Sequence, residues 1–278
     1  MHPARMALIQ WPKAKWRHSL RLADGMGADL ADAVEGVFTA GRRVNLIDRK
    51  GRKGDALRVF IFPEALAFDL LPEDLPGFLG LLKIGVEAVQ NYGPVPITAP
   101  LVLCCTHGKH DRCCAKWGFG LYKAIAAEAA ERGGVDVWEC THLGGCRLSA
   151  SVLTLPAMRK YGRLAPDDAA PLLQAELEGR PHLPNYRGAA HLDQVAQVAE
   201  VAALRFADAL GVQAPAALEL LASSDERRDF AVTVAQITVR VRCTPYQVRA
   251  YGACSDLESR KPLKPKTVWR AEVLPDVQ

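Results

Sequence analysis

Cysteine is absent from the first 103 residues of the chain, and the C-x-x-C motif occurs nowhere in its 278 residues. The missing motif argues against a thioredoxin-type dithiol mechanism. No apolar run is about 18 residues long, so we expect no membrane-spanning helix and no membrane partner. The first 17 residues lack the apolar core of a secretory signal. We therefore expect a cytoplasmic protein.

The excess of positive charge is small, since 35 Lys and Arg face 31 Asp and Glu for a formal charge of +4. That excess does not indicate nucleic-acid binding, and we expect no nucleic-acid partner. No motif marks the pair of carboxylates that glycoside hydrolysis requires. With 49% hydrophobic residues, a chain of this length can bury a core without disulfides or a metal. An enzymatic activity of its own is not implied.

The cysteines that are present are strongly clustered, because six of the eight lie within 43 residues. In a reducing compartment, clustered thiols more often bind metal or perform redox chemistry than form a disulfide framework. The six are Cys104, Cys105, Cys113, Cys114, Cys140 and Cys146. Cys243 and Cys254, near the end of the chain, are expected to be structural.

Two short segments in this cluster have the composition of a metal site. Cys105 and Cys114 are separated by eight residues that include Gly108, and His142 is followed by two glycines and Cys146. One member of each vicinal cysteine pair is expected to face the metal and the other the core, because neighbouring side chains of an extended segment point in opposite directions. Thiolates with imidazole suit both zinc and iron–sulfur centres. The wide cysteine spacing favours iron–sulfur without deciding the matter.

The pattern of apolar residues predicts an α/β protein in two parts. An N-terminal α/β region, residues 1–97, contains a helix over 26–39 and a hairpin of strands 43–48 and 57–62. A boundary is expected near Tyr92–Pro100, where Gly and Pro accumulate. From residue 98 to 278 we expect a β-α-β-β-β-α order close to a thioredoxin-like core, followed by a β-rich extension. In that extension, a parity switch in the strand 230–242 predicts a bulge near Ala235–Gln236.

The segments CTHGKHDRCC (105–114) and HLGGCRLSASVL (142–153) resemble the signature of the sucrase/ferredoxin-like family. The resemblance runs from about residue 98 to 205 and extends more loosely over the whole chain. It implies a thioredoxin-like ferredoxin domain with a [2Fe–2S] cluster. The family's ligands lie at the ends of C-[ST]-H-G-x-x-D-x-x-C and at both histidines of H-x-G-G-H. Carried over, they are Cys105, Cys114, His142 and, in place of the second histidine, Cys146, which implies Cys₃His ligation.

The resemblance implies one-electron transfer to or from a redox partner protein. It also implies a homodimer, because thioredoxin-like ferredoxins commonly dimerise. His107 and His110 are expected to shape the loop or to form hydrogen bonds around the site rather than to bind metal. Cys113 remains an alternative to Cys114 as a ligand. Two other classes of function stay open, a zinc-stabilised interaction module and a thiol-based redox sensor or oxidoreductase that uses Cys113 or Cys140.

Overall fold

The computed structural model describes residues 5–52, 54–145, 148–252, 256–257 and 259–274. The helices are α1 (Ala28–Thr39), α2 (Leu75–Leu82), α3 (Arg112–Arg132), α4 (Ala169–Leu177) and α5 (Gln194–Ala209). The strands of the first sheet are β1 (Met6–Gln10), β2 (Arg43–Asp48), β3 (Leu57–Phe62), β4 (Leu66–Leu70), β5 (Val95–Pro96), β6 (Leu101–Cys105), β7 (Asp136–Cys140), β8 (Ser151–Leu155), β9 (Arg159–Gly162) and β10 (Tyr186–Ala189). A second sheet contains β11 (Ala216–Ser223), β12 (Arg228–Val234), β13 (Ile237–Ala250) and β14 (Lys264–Leu274). The predicted α/β class and the β-rich C-terminal extension are confirmed.

The first sheet is mixed, with the strand order β10-β9-β8-β6-β7-β2-β1-β3-β4-β5. β1 runs parallel to β2 and β6 runs parallel to β7, whereas the other neighbours are antiparallel. The pairing of β2 with β7, at Ile47–Cys140 and Asp48–Glu139, joins the strands before residue 97 to those after it. The boundary at residue 97 stays a prediction, and the sheet continues across it.

The hairpin predicted for residues 43–62 is wrong, although both of its strands form at the predicted positions. β1 lies between them, so that Met6 pairs with Arg43 on one side and with Phe62 on the other. The first four residues of β1 are completely buried. A strand that is apolar on both faces gains most from a central position. This long-range pairing therefore replaces the local one.

Alternate residues of the central strands enter different cores. Cys104 and Val102 of β6 pack in a cluster with α3, α5 and the second sheet. Cys105 and Leu103, the alternate residues, pack in a second cluster with side chains of β1, β3 and β8. The expectation that neighbouring cysteines face opposite ways is confirmed for this pair.

The bulge predicted near Ala235–Gln236 is wrong, because the chain reverses direction there. β12 and β13 form an antiparallel hairpin in which Val234 pairs with Ile237, and Ala235 has a φ of 51° in the left-handed region. Val232 and Val239 pair across the hairpin and are both buried. A two-residue turn shifts the parity of buried positions just as a bulge does, so the sequence pattern alone did not separate the two.

Helix α3 packs unusually closely on the end of β6. The Asp111 side chain accepts a hydrogen bond from the backbone N–H of Cys113 and so begins the helix. Gly118 faces the strand, where a Cβ atom would lie 2.0 Å from the carbonyl oxygen of Cys105. Only a glycine permits this approach.

Among the described residues, no helix combines the length and apolar character needed to cross a bilayer.

We predict that Gly118→Ala destabilises the protein by about 1–3 kcal/mol or more, because the added methyl group meets rigid backbone. The matched control is Gly120→Ala in the same helix, where a Cβ atom would have no neighbour within 4 Å. That change is expected to stabilise the helix by roughly 0.5–1 kcal/mol. Urea denaturation measures both free energies of unfolding, and equal values would contradict the close packing.

Candidate metal centre

Cys105, Cys114 and His142 lie close together where the central strands β6 and β7 of the ten-stranded sheet end. Their ligand atoms all lie within 4.8 Å of one another. Nδ1 of His142 is 3.9 Å from Sγ of Cys105 and 3.6 Å from Sγ of Cys114. Cys105 is 1% exposed, Cys114 is 2% exposed and His142 is 9% exposed, so the group is shielded from solvent.

The order of the elements explains this convergence. Cys105 ends β6 and pairs with Cys140, which ends the parallel strand β7. Because parallel strands end at the same edge of a sheet, His142, two residues after Cys140, comes beside Cys105. Cys114 lies in the first turn of α3, three residues after the N-cap residue Asp111. Three elements thus each contribute one ligand atom.

The turn after His142 depends on two glycines. Gly144 and Gly145 have φ values of 83° and 79°, in the region that other residues rarely adopt. The expectation that these glycines form a tight turn is confirmed. Cys146, the predicted fourth ligand, lies outside the described residues. The complete ligand set therefore stays a prediction.

Hydrogen bonds from distant segments hold His142 in place. Its carbonyl oxygen accepts from Nη2 of Arg43 at 2.9 Å and from Nδ2 of Asn45 at 3.4 Å. Its backbone N–H donates to Nδ1 of His107 at 3.3 Å. Burial lowers the pKa of His107 to about 4, so at neutral pH its ring is uncharged and able to accept this bond. The hydrogen-bonding role predicted for His107 is confirmed.

The cysteines at this edge have opposite electrostatic surroundings. A hydrogen bond from the Cys114 thiol holds the pKa of Cys105 well below its ordinary value, against the effect of burial, and His142 acts in the same direction. Burial instead raises the pKa of Cys104 and of Cys140 far above the ordinary value. Cys105 is therefore suited to be a thiolate, whereas its two neighbours remain neutral thiols.

Cys113 does not take part in the group. It is disulfide-bonded, and its sulfur is not among the ligand atoms that converge. The adjacent residue Cys114 is the one that lies beside His142. The geometry thus favours Cys114 over Cys113 as a ligand.

Partly buried positive charges lie around the 142–145 turn, and these were not identified from the sequence. Nζ of Lys160 donates to the carbonyl oxygen of Leu143 at 3.1 Å. Burial lowers the pKa of Lys160 to about 7, repulsion from Arg187 and Arg43 adds to this, and the charge of Cys105 opposes it. The Arg187 guanidinium lies against Gly145, since a Cβ atom there would be 3.1 Å from Nη1. An anionic centre at this place would be stabilised by these cations.

A row of imidazole rings connects His142 with the surface. The His110 ring stacks on the His142 ring with centroids 4.3 Å apart, and the exposed His18 lies 4.6 Å from His110. Nδ1 of His110 is hydrogen-bonded to the carbonyl oxygen of His18 at 3.1 Å. The buried site therefore lies only two ring contacts from solvent.

Comparison with known proteins places these residues in a family. Residues 2–188 match the family described as sucrase/ferredoxin-like. The chain belongs to the sucrase/ferredoxin-like family. No curated protein sequence matches it significantly.

Beyond this family match, similarity to solved structures is limited to about a third of the chain. A thioredoxin-like [2Fe–2S] ferredoxin from Aquifex aeolicus is 15% identical, with 32% of this chain and 91% of that chain covered at a TM-score of 0.30. A second structure of the wild-type ferredoxin from that organism is 16% identical, with 32% and 95% covered at a TM-score of 0.29. A likeness of this extent by itself carries no conclusion about the function of this sucrase/ferredoxin-like chain.

The donor atoms fit a soft metal centre. Two sulfurs and an imidazole nitrogen are the ligands preferred by zinc and by iron–sulfur clusters. Metal–ligand bonds of about 2.0–2.3 Å give tetrahedral edges of roughly 3.3–3.8 Å. The measured spacings of 3.6 and 3.9 Å are close to such edges. Three described residues of this sucrase/ferredoxin-like chain could therefore hold a metal ion.

We predict that metal-free protein binds Co²⁺ with the strong near-ultraviolet absorption of a thiolate–cobalt bond. Cys105→Ala and Cys114→Ala should each weaken binding at least about 10-fold, because each removes a ligand. Cys104→Ala is the matched control, since Cys104 adjoins Cys105 but packs in a different core. A titration followed by absorption measures the affinities. Equal loss in Cys104→Ala and Cys105→Ala would contradict the assignment.

Proposed function

We propose that the chain is a one-electron transfer protein that carries a [2Fe–2S] cluster on Cys105, Cys114, His142 and Cys146. The observation that carries the proposal is the convergence of two buried sulfurs and an imidazole at the ends of β6 and β7. Family membership supports it, because all four residues lie within residues 2–188, which match the sucrase/ferredoxin-like family. When bound, the cluster would supply a site that gains and loses a single electron.

The charges around the site favour a centre that becomes more negative. Adding an electron to a buried cluster adds a negative charge that water does not screen. Arg43 and Lys160 donate hydrogen bonds to the carbonyl oxygens of the ligand-bearing turn, at His142 and Leu143. Their positive charges lower the free energy of the reduced state relative to the oxidised state, and so raise the reduction potential. One imidazole among three thiolates should raise it further relative to four thiolates.

We expect anaerobically purified protein to be red-brown, to contain equal amounts of iron and acid-labile sulfide, and to become paramagnetic on one-electron reduction. Cys105→Ala should abolish the cluster, and Cys146→Ser should remove it or change its electron paramagnetic resonance spectrum. Cys104→Ala, which removes a neutral thiol from the other core, should retain it. Protein without iron, or an unchanged spectrum in Cys146→Ser, would overturn the proposed ligation.

We also predict that Lys160→Met lowers the reduction potential, because it removes a buried positive charge beside the ligand-bearing turn. The shift should be on the order of tens of millivolts, since about 59 mV corresponds to a tenfold change in the ratio of reduced to oxidised protein. Potentiometric titration at pH 6 keeps the wild-type lysine protonated, because its pKa is about 7.

Two variants control for other causes of that shift. Lys160→Arg keeps the charge and should keep most of the potential. Lys264→Met removes an exposed charge from the second sheet and should leave the potential unchanged. A potential in Lys160→Met equal to that of the wild type would contradict the electrostatic role of the lysine.

A zinc-stabilised interaction module is the second candidate, and one observation favours it. The distances of 3.6 and 3.9 Å from His142 Nδ1 to the two sulfurs resemble the edges of a tetrahedron around one ion. Such a protein would be colourless and would contain about one equivalent of zinc. Metal analysis of the same purified sample therefore separates the two candidates.

A thiol-based redox function of Cys140 has less support. Cys140 is 0% exposed, and burial raises its pKa well above the ordinary value. The reactive form of cysteine is the thiolate, and reactive cysteines are partly exposed. The surroundings of Cys140 favour neither the thiolate form nor exposure to solvent.

A further inference from the structure

A basic and aromatic surface lies directly above the candidate metal centre. It is formed by the turn at Lys13–Lys15, the loop at residues 106–110 and the N-terminal half of α3, and we call it the loop face. A cavity of about 520 Å³ opens in it, with Trp16, His107 and Phe119 among its lining residues. The cavity is mainly apolar, and lysines stand at its edge.

The loop face is separated from the metal centre by a single loop. Thr106, which lines the cavity, directly follows Cys105 in the chain. His107 also lines the cavity, and its Nδ1 accepts the hydrogen bond from the backbone N–H of His142. The ring contacts from His142 through His110 to His18 reach solvent beside this loop. A molecule bound here would therefore approach the centre closely.

A large aromatic ring is exposed on the loop face. Phe119, which lines the cavity, is 43% exposed. Two lysine ammonium groups lie over its ring, with Lys13 at 4.8 Å and Lys123 at 5.4 Å from the ring centroid. Exposed aromatic rings are enriched at the centre of protein interfaces, where a polar rim surrounds them.

The loop face carries more positive than negative charge. In α3, no acidic residue occurs before Glu128. Nearby, Lys13 and Arg17 are neutralised by ion pairs with Glu139 and Asp24. Lys109 and Lys116 are exposed. The surface therefore attracts a partner with negative charge.

We propose that the loop face docks an acidic redox partner protein, which exchanges one electron with the centre across the loop at residues 106–110. This inference rests on the proposed function and adds the place of contact and the charge of the partner. A second copy of this chain fits less well, because two copies of a basic surface repel each other. The Phe119 ring would supply apolar contact, and the lysines would steer the approach.

The experiment measures electron transfer from the reduced protein to two acceptor proteins of opposite charge. The acceptors are an acidic plastocyanin, in which Cu(II) becomes Cu(I), and a basic cytochrome c, in which the haem Fe(III) becomes Fe(II). In each case the reduced protein loses one electron. Stopped-flow absorption gives the second-order rate constants at low and high salt. We expect plastocyanin to react faster at low salt, and its rate to fall as salt is added.

Two double variants with the same net charge separate a local effect from a global one. Lys109→Glu with Lys116→Glu should slow plastocyanin about tenfold at low salt and should not slow cytochrome c. The control, Lys261→Glu with Lys264→Glu, changes two lysines near the C-terminal sheet and should alter the plastocyanin rate less than about twofold. Phe119→Ser leaves the charge unchanged and should slow plastocyanin by weakening apolar contact.

Iron, sulfide and paramagnetic resonance are measured first on every variant. Protein without iron and sulfide overturns the proposed function and the docking inference with it. Protein that holds the cluster but loses the same rate in both double variants overturns the docking inference alone. A dimer that Phe119→Ser dissociates, or single-stranded DNA binding at 150 mM salt that the Lys109 and Lys116 changes abolish, would assign the loop face to a different partner and also overturn it.

Discussion

The close approach of helix α3 to the end of strand β6 is the contact on which the candidate site depends. Gly118 leaves no room for a side chain against the Cys105 carbonyl group, so the helix axis lies as near to the strand as backbone atoms allow. The first turn of the same helix carries Cys114, four residues earlier. A more distant helix would carry Cys114 away from His142 and leave two separate buried thiols. The sheet fixes Cys105 and His142, whereas the helix contact brings the third ligand to them.

Burial disfavours a charged thiolate at the site, and groups from distant parts of the chain offset this cost. A thiolate in an apolar core is costly unless donors and positive charges face it. The hydrogen bond from Cys114 and the proximity of His142 lower the pKa of Cys105, and Arg43 from β2 and Lys160 from β9 bring positive charge. Cys104, one residue away, lacks these neighbours and stays protonated. Its contrast with Cys105 shows that the environment, rather than the residue type, selects the reactive sulfur.

Local patterns predicted the elements well and their pairing poorly. Strands 43–48 and 57–62 were correctly located, but the insertion of β1 between them depends on hydrogen bonds between segments about 40 residues or more apart. The turn at Ala235–Gln236 and a bulge give the same alternation, so only the direction of the following strand distinguishes them. Cys105, Cys114 and His142 were recognisable because they lie in two short motifs. Arg43, Lys160 and Arg187 were not, since they come from separate strands and have no motif.

The site has to satisfy two opposed requirements if it transfers electrons. It must be shielded from water, which would screen the charges and expose the sulfurs, and it must also lie near enough to the surface for a partner to reach it. Cys105 and Cys114 are almost fully buried, yet they are covered by a single loop, residues 106–110, which carries His107 and His110. His110 bridges the distance by stacking on His142 inside and contacting His18 outside. A purely structural metal would need the shielding alone, whereas the proposed electron transfer would use the covering loop and its stacked rings as the route to the surface.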